Sequence, residues 1–122
     1  MAKRDLTGAI DFAHLETYTA GDPGIADEVL GLFEEQAALW TRLMTPDAPA
    51  DSWRDAAHTL KGASLGIGAH AMAQACSEAE LKADTGPAAR AMLLDPVLTA
   101  LNAVLADIAA WRHEQALQGL KS

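Results

Sequence analysis

The residues of this chain best able to do chemistry lie in one run, His58-Thr59-Leu60-Lys61-Gly62. Around it Trp53, Ala56, Ala57, Leu60, Ala63, Ser64 and Ile67 recur at steps of three and four residues, which at ~100° per residue places them on one face of a helix. On the same arithmetic His58 lies roughly 160° from the centre of that stripe, with Gly62 and Leu65 beside it further along. The spacing therefore predicts an imidazole facing solvent. A neutral imidazole keeps a lone pair on one ring nitrogen and is a nucleophile that needs no catalytic base. Lys61 at i+3 and Arg54 at i−4 would bring positive charge beside it, so an anionic group on the ring would be stabilised.

Gly62, Gly66 and Gly68 follow closely, and each glycine inside a helix costs ~1 kcal/mol relative to alanine. Gly68 falls where the apolar period ends and is expected to be the left-handed residue that closes the helix. Gly62 has no such local explanation. One turn beyond an exposed imidazole, it leaves open ground for the close approach of another molecule.

The elements that must position this run are all helical, because proline, glycine and aspartate clusters cut the chain into segments without any period-two alternation. A short first helix is expected near Asp11 to Thr19, ending at Gly21-Asp22-Pro23. Asp22 as cap and Pro23 at the first position open a second helix to about Met44, with Ile25, Val29, Leu32, Phe33, Gln36, Trp40 and Leu43 on one face. After the loop Thr45 to Ala50, the third helix runs from Asp51 or Ser52 to Ile67, and the fourth from His70 to Ala83. Pro87 to Leu94 reads as a helical turn, before Asp95 caps and Pro96 opens a last long helix carrying Leu98, Leu101, Val104, Leu105, Ile108 and Trp111 and fraying after Gln118-Gly119. Short connections force antiparallel neighbours. The expected fold is all-α, an antiparallel up-down-up-down four-helix bundle with the short N-terminal helix across one end. Glu34-Glu35 and Asp107 are expected on solvated faces.

At 122 residues the chain is read as a single domain, residues 1–122, long enough for a core without disulfides or metals. Half of it is apolar and 21% charged, ordinary for a folded globular chain. Cys76, in register with Met72 and Ala79, is expected to be a small buried hydrophobe. No histidine pair or carboxylate cluster has metal-ligand spacing; His14 reads as a surface residue, His70 as a helix start and His113 as a cation near a helix C-terminus. Nine basic against seventeen acidic residues, a net charge of −8, disfavour nucleic acid and point to a protein partner. No stretch is read as reaching the ~20 apolar residues that span a bilayer, and Met1 to Asp5 are not followed by a signal-peptide core, so a cytoplasmic location is expected.

The run His58-Thr59-Leu60-Lys61-Gly62-Ala63-Ser64, continuing to Gly68-Ala69, resembles the signature of histidine-containing phosphotransfer (HPt) domains, H-x-L-K-G-x-S or x-A followed by G-A. Upstream, Asp11, Leu15, Gly21-Asp22, Glu28-Val29-Leu30 and Phe33 are similar to the first helices of that family, and downstream the similarity reaches Cys76 and Glu80. It covers roughly residues 10 to 83, with the last helix matching in length and pattern alone. One departure lies at Leu65-Gly66, where the family usually carries small or polar residues.

The resemblance implies a phosphoryl carrier, not an enzyme with its own ATP-binding domain. His58 would take a phosphoryl group from the aspartate of one response-regulator receiver domain and return it to another, the receivers belonging to a hybrid histidine kinase and a downstream regulator. The transition state of phosphoryl transfer is loose and needs positioning and charge neutralisation more than covalent help. The receiver would bring Mg²⁺, and this chain needs no cofactor. Lys61 would supply stabilising charge, with Arg54, Gly62 and Leu65 contributing to docking and Glu80 a candidate for orienting the ring through its second nitrogen. A monomer is expected. Two other readings compete: a helical adaptor that binds a receiver without accepting phosphate, and the dimerisation helix pair of a kinase.

Overall fold

The computed structural model describes residues 6–121. Residues 1–5, which carry the first part of the leader expectation, lie outside the described residues, as does residue 122. Five helices follow in order: α1 Phe12–Tyr18, α2 Pro23–Leu43, α3 Ala50–Gly66, α4 His70–Leu81 and α5 Pro87–Lys121. The long helices pack in the cycle α2 on α3, α3 on α4, α4 on α5 and α5 back on α2, the antiparallel four-helix bundle expected from their short connections. α1 closes one end, burying Phe12 and Leu15.

Local chemistry sets the helix ends that matter for the site. Asp22 accepts hydrogen bonds from the Gly24 and Ile25 amides at 2.8 and 3.3 Å, and Pro23 takes the first helical position, as its sequence predicts. At the end of α3, Gly68 is left-handed with φ +76°. It could not be another residue even in a relaxed backbone: a Cβ there would lie 2.9 Å from the Asp11 carbonyl oxygen, because the Asp11 amide donates to the Gly68 carbonyl at 2.9 Å. This close approach docks α1 onto the α3–α4 turn.

The apolar stripe of α3 faces inward as predicted, with Trp53, Ala56, Ala57, Leu60, Ser64 and Ile67 buried and Ala63 half-buried. α2 is rotated relative to its expected face. Its buried residues are Ala26, Leu30, Phe33 and Ala37, whereas Ile25, Leu32 and Leu43 are exposed. The buried line combines the large Leu30 and Phe33 with the small Ala26 and Ala37, so side-chain size alone does not mark it.

α5 departs from the expected course. The helix is continuous from Pro87 through Pro96 to Lys121, without a break at Asp95-Pro96. An interior proline costs about 3 kcal/mol, so the turns before it need anchoring. Arg90 supplies it. Buried beneath the α2–α3 loop, its guanidinium donates to the carbonyls of Ala83, Pro46 and Ala48 and lies 5.7 Å from the centre of the Trp53 ring. Asp107 is buried, not solvated: its carboxylate accepts from the Thr7 amide at 2.6 Å and the Ile10 amide at 3.2 Å, tying the N-terminal segment to the bundle. Its register with Val104, Ile108 and Trp111 on the buried stripe carried that signal. Glu34 is also only half-exposed, since Arg112 bridges it and Asp27 at 2.6 and 2.7 Å and so joins α5 to α2.

By length and composition α5 could cross a bilayer, with an 18-residue window of mean hydropathy 1.6 within Pro87–Leu120, so the expectation that no stretch reaches that level is corrected. In the bundle Val97, Leu101, Val104, Ile108 and Trp111 of this helix are core residues, and Asp107 stands among them.

Candidate functional site

The site is built by the register of α3 against α4. Trp53, fully buried, donates its indole N–H to the Ala79 carbonyl at 2.8 Å. That carbonyl belongs to the last turn of α4, where the helix offers no partner, so one hydrogen bond both completes the helix end and fixes the two helices lengthwise. The residue after Ala79 is Glu80, and the register brings its carboxylate to the outer face of α3.

There His58 and Lys61 converge on it. His58 Nδ1 lies 2.9 Å from Glu80 Oε2, and Lys61 Nζ lies 3.0 Å from Glu80 Oε1. The ring is 67% exposed, whereas the Glu80 side chain is 22% exposed beneath it. Lys61, and secondarily His58, holds the Glu80 carboxyl below the usual glutamate range against the opposing effect of burial. An ionised carboxylate only accepts, so the ring nitrogen facing it must carry the hydrogen: Nδ1–H donates to Oε2, and the lone pair of a neutral ring is on Nε2. Glu80 Oε1 is out of contact with solvent and in no well-aligned hydrogen bond, leaving the Lys61 ammonium as its ion-pair partner.

Gly62 is exposed, and a Cβ built there would meet nothing within 4 Å, so the ground one turn from the ring is open as the sequence implied. Leu65 is 49% exposed further along the same side. Arg54, one turn before the ring, is ion-paired. Its guanidinium pairs with Asp51 at 2.8 Å and Asp84 at 3.2 Å, and these carboxylates offset the positive charge it brings to the flank of the ring. Lys61 is close to the ring but committed to Glu80, a pairing that sequence spacing did not supply because it depends on the α3–α4 register.

Sequence reasoning also missed a shallow groove of about 260 Å³ between α2 and α3, lined among others by Tyr18, Val29, Leu32, Phe33, Ala63 and Gly66. Tyr18 and Leu32 are 68% and 61% exposed. The signal was present in Leu32, a large residue off the true core line of α2. His14 is exposed as expected, His113 is exposed on α5, and His70 starts α4, with Nε2 3.5 Å from Asp11. Cys76 is buried and its thiol is pushed up to about 11 by burial, which keeps it protonated and inert. Among the described residues no group of three or more histidine, cysteine, aspartate or glutamate side chains could hold a metal ion.

A family model described as the Hpt domain matches residues 26–113, a span containing His58, Lys61, Gly62, Leu65 and Glu80. No curated protein matches the chain. Among solved structures, the crystal structure of the histidine phosphotransferase ShpA from Caulobacter crescentus is similar over 93% of this chain and 99% of that one, with 48% sequence identity and a TM-score of 0.77. The helical bundle, the exposed histidine and both similarities lead to one assignment: this chain belongs to the Hpt domain family and works in histidine phosphotransfer, as a phosphoryl carrier and not an ATP-using kinase.

Proposed function

We propose that His58 is the phosphoryl acceptor, through Nε2. The observation that carries this reading is the hydrogen bond from Nδ1 to Glu80, which orients a ring otherwise exposed to solvent and leaves the opposite nitrogen as the nucleophile. In the forward step the Nε2 lone pair forms the N–P bond as the O–P bond of a receiver's aspartyl phosphate breaks, its electron pair leaving with the carboxylate. The return step reverses this toward a second receiver, and the receiver supplies Mg²⁺. A hybrid histidine kinase and a downstream regulator are the partners this direction of reading calls for, with the carrier monomeric, cytoplasmic and acting through the one domain.

Docking is assigned to the surface running from Gly62 through Leu65 and Gly66 into the α2–α3 groove. Gly66 lies two turns from His58, about 12 Å at 1.5 Å per residue, within the footprint of a small domain. Exposed Leu65, Leu32 and Tyr18 there form an apolar seat.

The test is phosphotransfer from purified, phosphorylated receiver domains of the same cell to wild-type protein and to His58→Gln. The wild type should acquire an acid-labile, base-stable phosphate from its cognate receiver, and the variant, folded because the side chain is exposed, should acquire none. Labelling of the variant at the wild-type rate would overturn the assignment.

A further inference from the structure

Lys61 is placed to act on something other than the phosphoryl group. Its ammonium is turned down onto Glu80 Oε1, an oxygen out of contact with solvent. Moving the ammonium from Oε1 to a phosphoryl group on Nε2 would leave a desolvated charged acceptor without its ion-pair partner in exchange for a contact screened by water. The exchange is unfavourable, so Lys61 stays with Glu80 while the ring is phosphorylated.

We propose that Lys61 is a positioning residue that acts through Glu80: by occupying Oε1 it limits how strongly the carboxylate holds the Nδ1 proton of phosphorylated His58, and so lengthens the lifetime of the phosphohistidine. This rests on the reading of His58 as acceptor. Loss of phosphate to water forms an O–P bond from the water oxygen and breaks the N–P bond, whose electron pair returns to Nε2. If Nδ1 keeps its hydrogen the leaving group is a neutral imidazole and the products are neutral His58 and dihydrogen phosphate. If Nδ1 has lost it the leaving group is an anionic imidazolate, and the reaction stalls. A carboxylate at Nδ1 holds the proton to higher pH and speeds the loss; an ammonium on the same carboxylate draws electron density away and slows it.

The other charges around the ring leave this pair in control. On α3, Arg54 is held by Asp51 and Asp84, and Asp55 is exposed. On α4 the Cys76 thiol is neutral, since burial pushes it up to about 11. α2 brings Leu32 and Gln36 to the groove beside α3, and Arg42 to a second pocket that Asp55 also lines, where its guanidinium donates to the Ala38 carbonyl.

The experiment follows the decay of phosphate on His58 from pH 5 to 10, in the isolated phosphoprotein freed of receiver, for wild type, Lys61→Met, Lys61→Arg, Glu80→Gln and the Lys61→Met/Glu80→Gln double variant. Glu80→Gln keeps a carbonyl to accept from Nδ1–H but removes the charge, so decay above neutral pH should slow about tenfold, the low end expected for losing one adjacent opposite charge. Lys61→Met should speed decay several-fold at pH 8 and carry its alkaline fall-off to higher pH, and Lys61→Arg should restore the wild-type profile. The double variant should match Glu80→Gln, because without the carboxylate Lys61 has nothing to act through. A Lys61→Met effect of equal size with and without the Glu80 carboxylate, or a slowing of decay, would overturn the inference while leaving His58 as acceptor. Absence of label on wild-type His58 would instead strike the acceptor reading, and nitrogen-15 shifts of the unphosphorylated ring, expected to show Nδ1–H in wild type and Lys61→Met alike, report the Glu80 contact independently of any transfer.

Discussion

Replacing Gly62 separates stability from access. The position is in the interior of α3, exposed, and an added Cβ would have nothing within 4 Å. Alanine therefore meets no clash and gains the helix-propensity difference, about 1 kcal/mol, which for a domain of this length raises the melting temperature by about 3–5 °C. Leucine has nearly the same propensity and keeps most of that gain. Its side chain, however, leans toward the helix N-terminus and covers the turn before it, which is where His58 sits. A docked receiver would have to displace it or ride over it. Overpacking of this kind costs about 1–3 kcal/mol, or a rate lowered by about fivefold to a hundredfold. Thermal melts and single-turnover transfer on wild type, Gly62→Ala and Gly62→Leu should thus show stability rising in both variants while transfer falls sharply only with leucine. A Gly62→Leu protein that is more stable and transfers at the wild-type rate would show that the glycine does not serve access to the ring.

Arg90→Met should cost about 2–4 kcal/mol in urea denaturation, because it leaves the Ala83, Pro46 and Ala48 carbonyls without their donor, and a loss under about 1 kcal/mol would refute the clamp. Leu65→Glu should leave the melt within about 0.5 kcal/mol of wild type but weaken receiver binding about tenfold or more, measured by titration; unchanged affinity would move the docking surface elsewhere. Folding lowers the Glu80 pKa, chiefly through Lys61, so its stabilising contribution is complete above the unfolded value near ~4.3 and fades as pH falls through the lower folded value. The stability gap between wild type and Glu80→Gln should accordingly shrink below about pH 4, and a gap that is constant down to pH 2 would argue against the ion pair.

Much of the site was legible because it lies on one helix. The phase of α3 placed His58 outward, Gly62 and Leu65 beside it and Gly68 in a left-handed turn, all of which follow from helical period and glycine chemistry. What lay across helices was less legible. The fates of Arg54 and Lys61 depend on Asp84 and Glu80, whose approach is set by the indole hydrogen bond from Trp53 to Ala79. In α5 the dipeptide Asp95-Pro96 imitates a helix start, yet the anchor that carries the helix through it is Arg90, a buried cation held by backbone carbonyls contributed from two loops. Asp107 misled for the related reason that its donors are amides of a distant segment. On α2 large apolar residues lie on more than one face and the buried line mixes Leu30 and Phe33 with Ala26 and Ala37, so size was a poor guide to burial.

Whether the ring held by Glu80 at Nδ1 receives phosphate on Nε2 of His58 is decided by locating the phosphate. Protein labelled by its phosphorylated cognate receiver and kept at alkaline pH can be mapped by phosphorus-31 and nitrogen-15 correlation. A single phosphorus signal coupled to His58 Nε2 is expected. A phosphate on Nδ1, or on any residue other than His58, would contradict the Nε2 assignment.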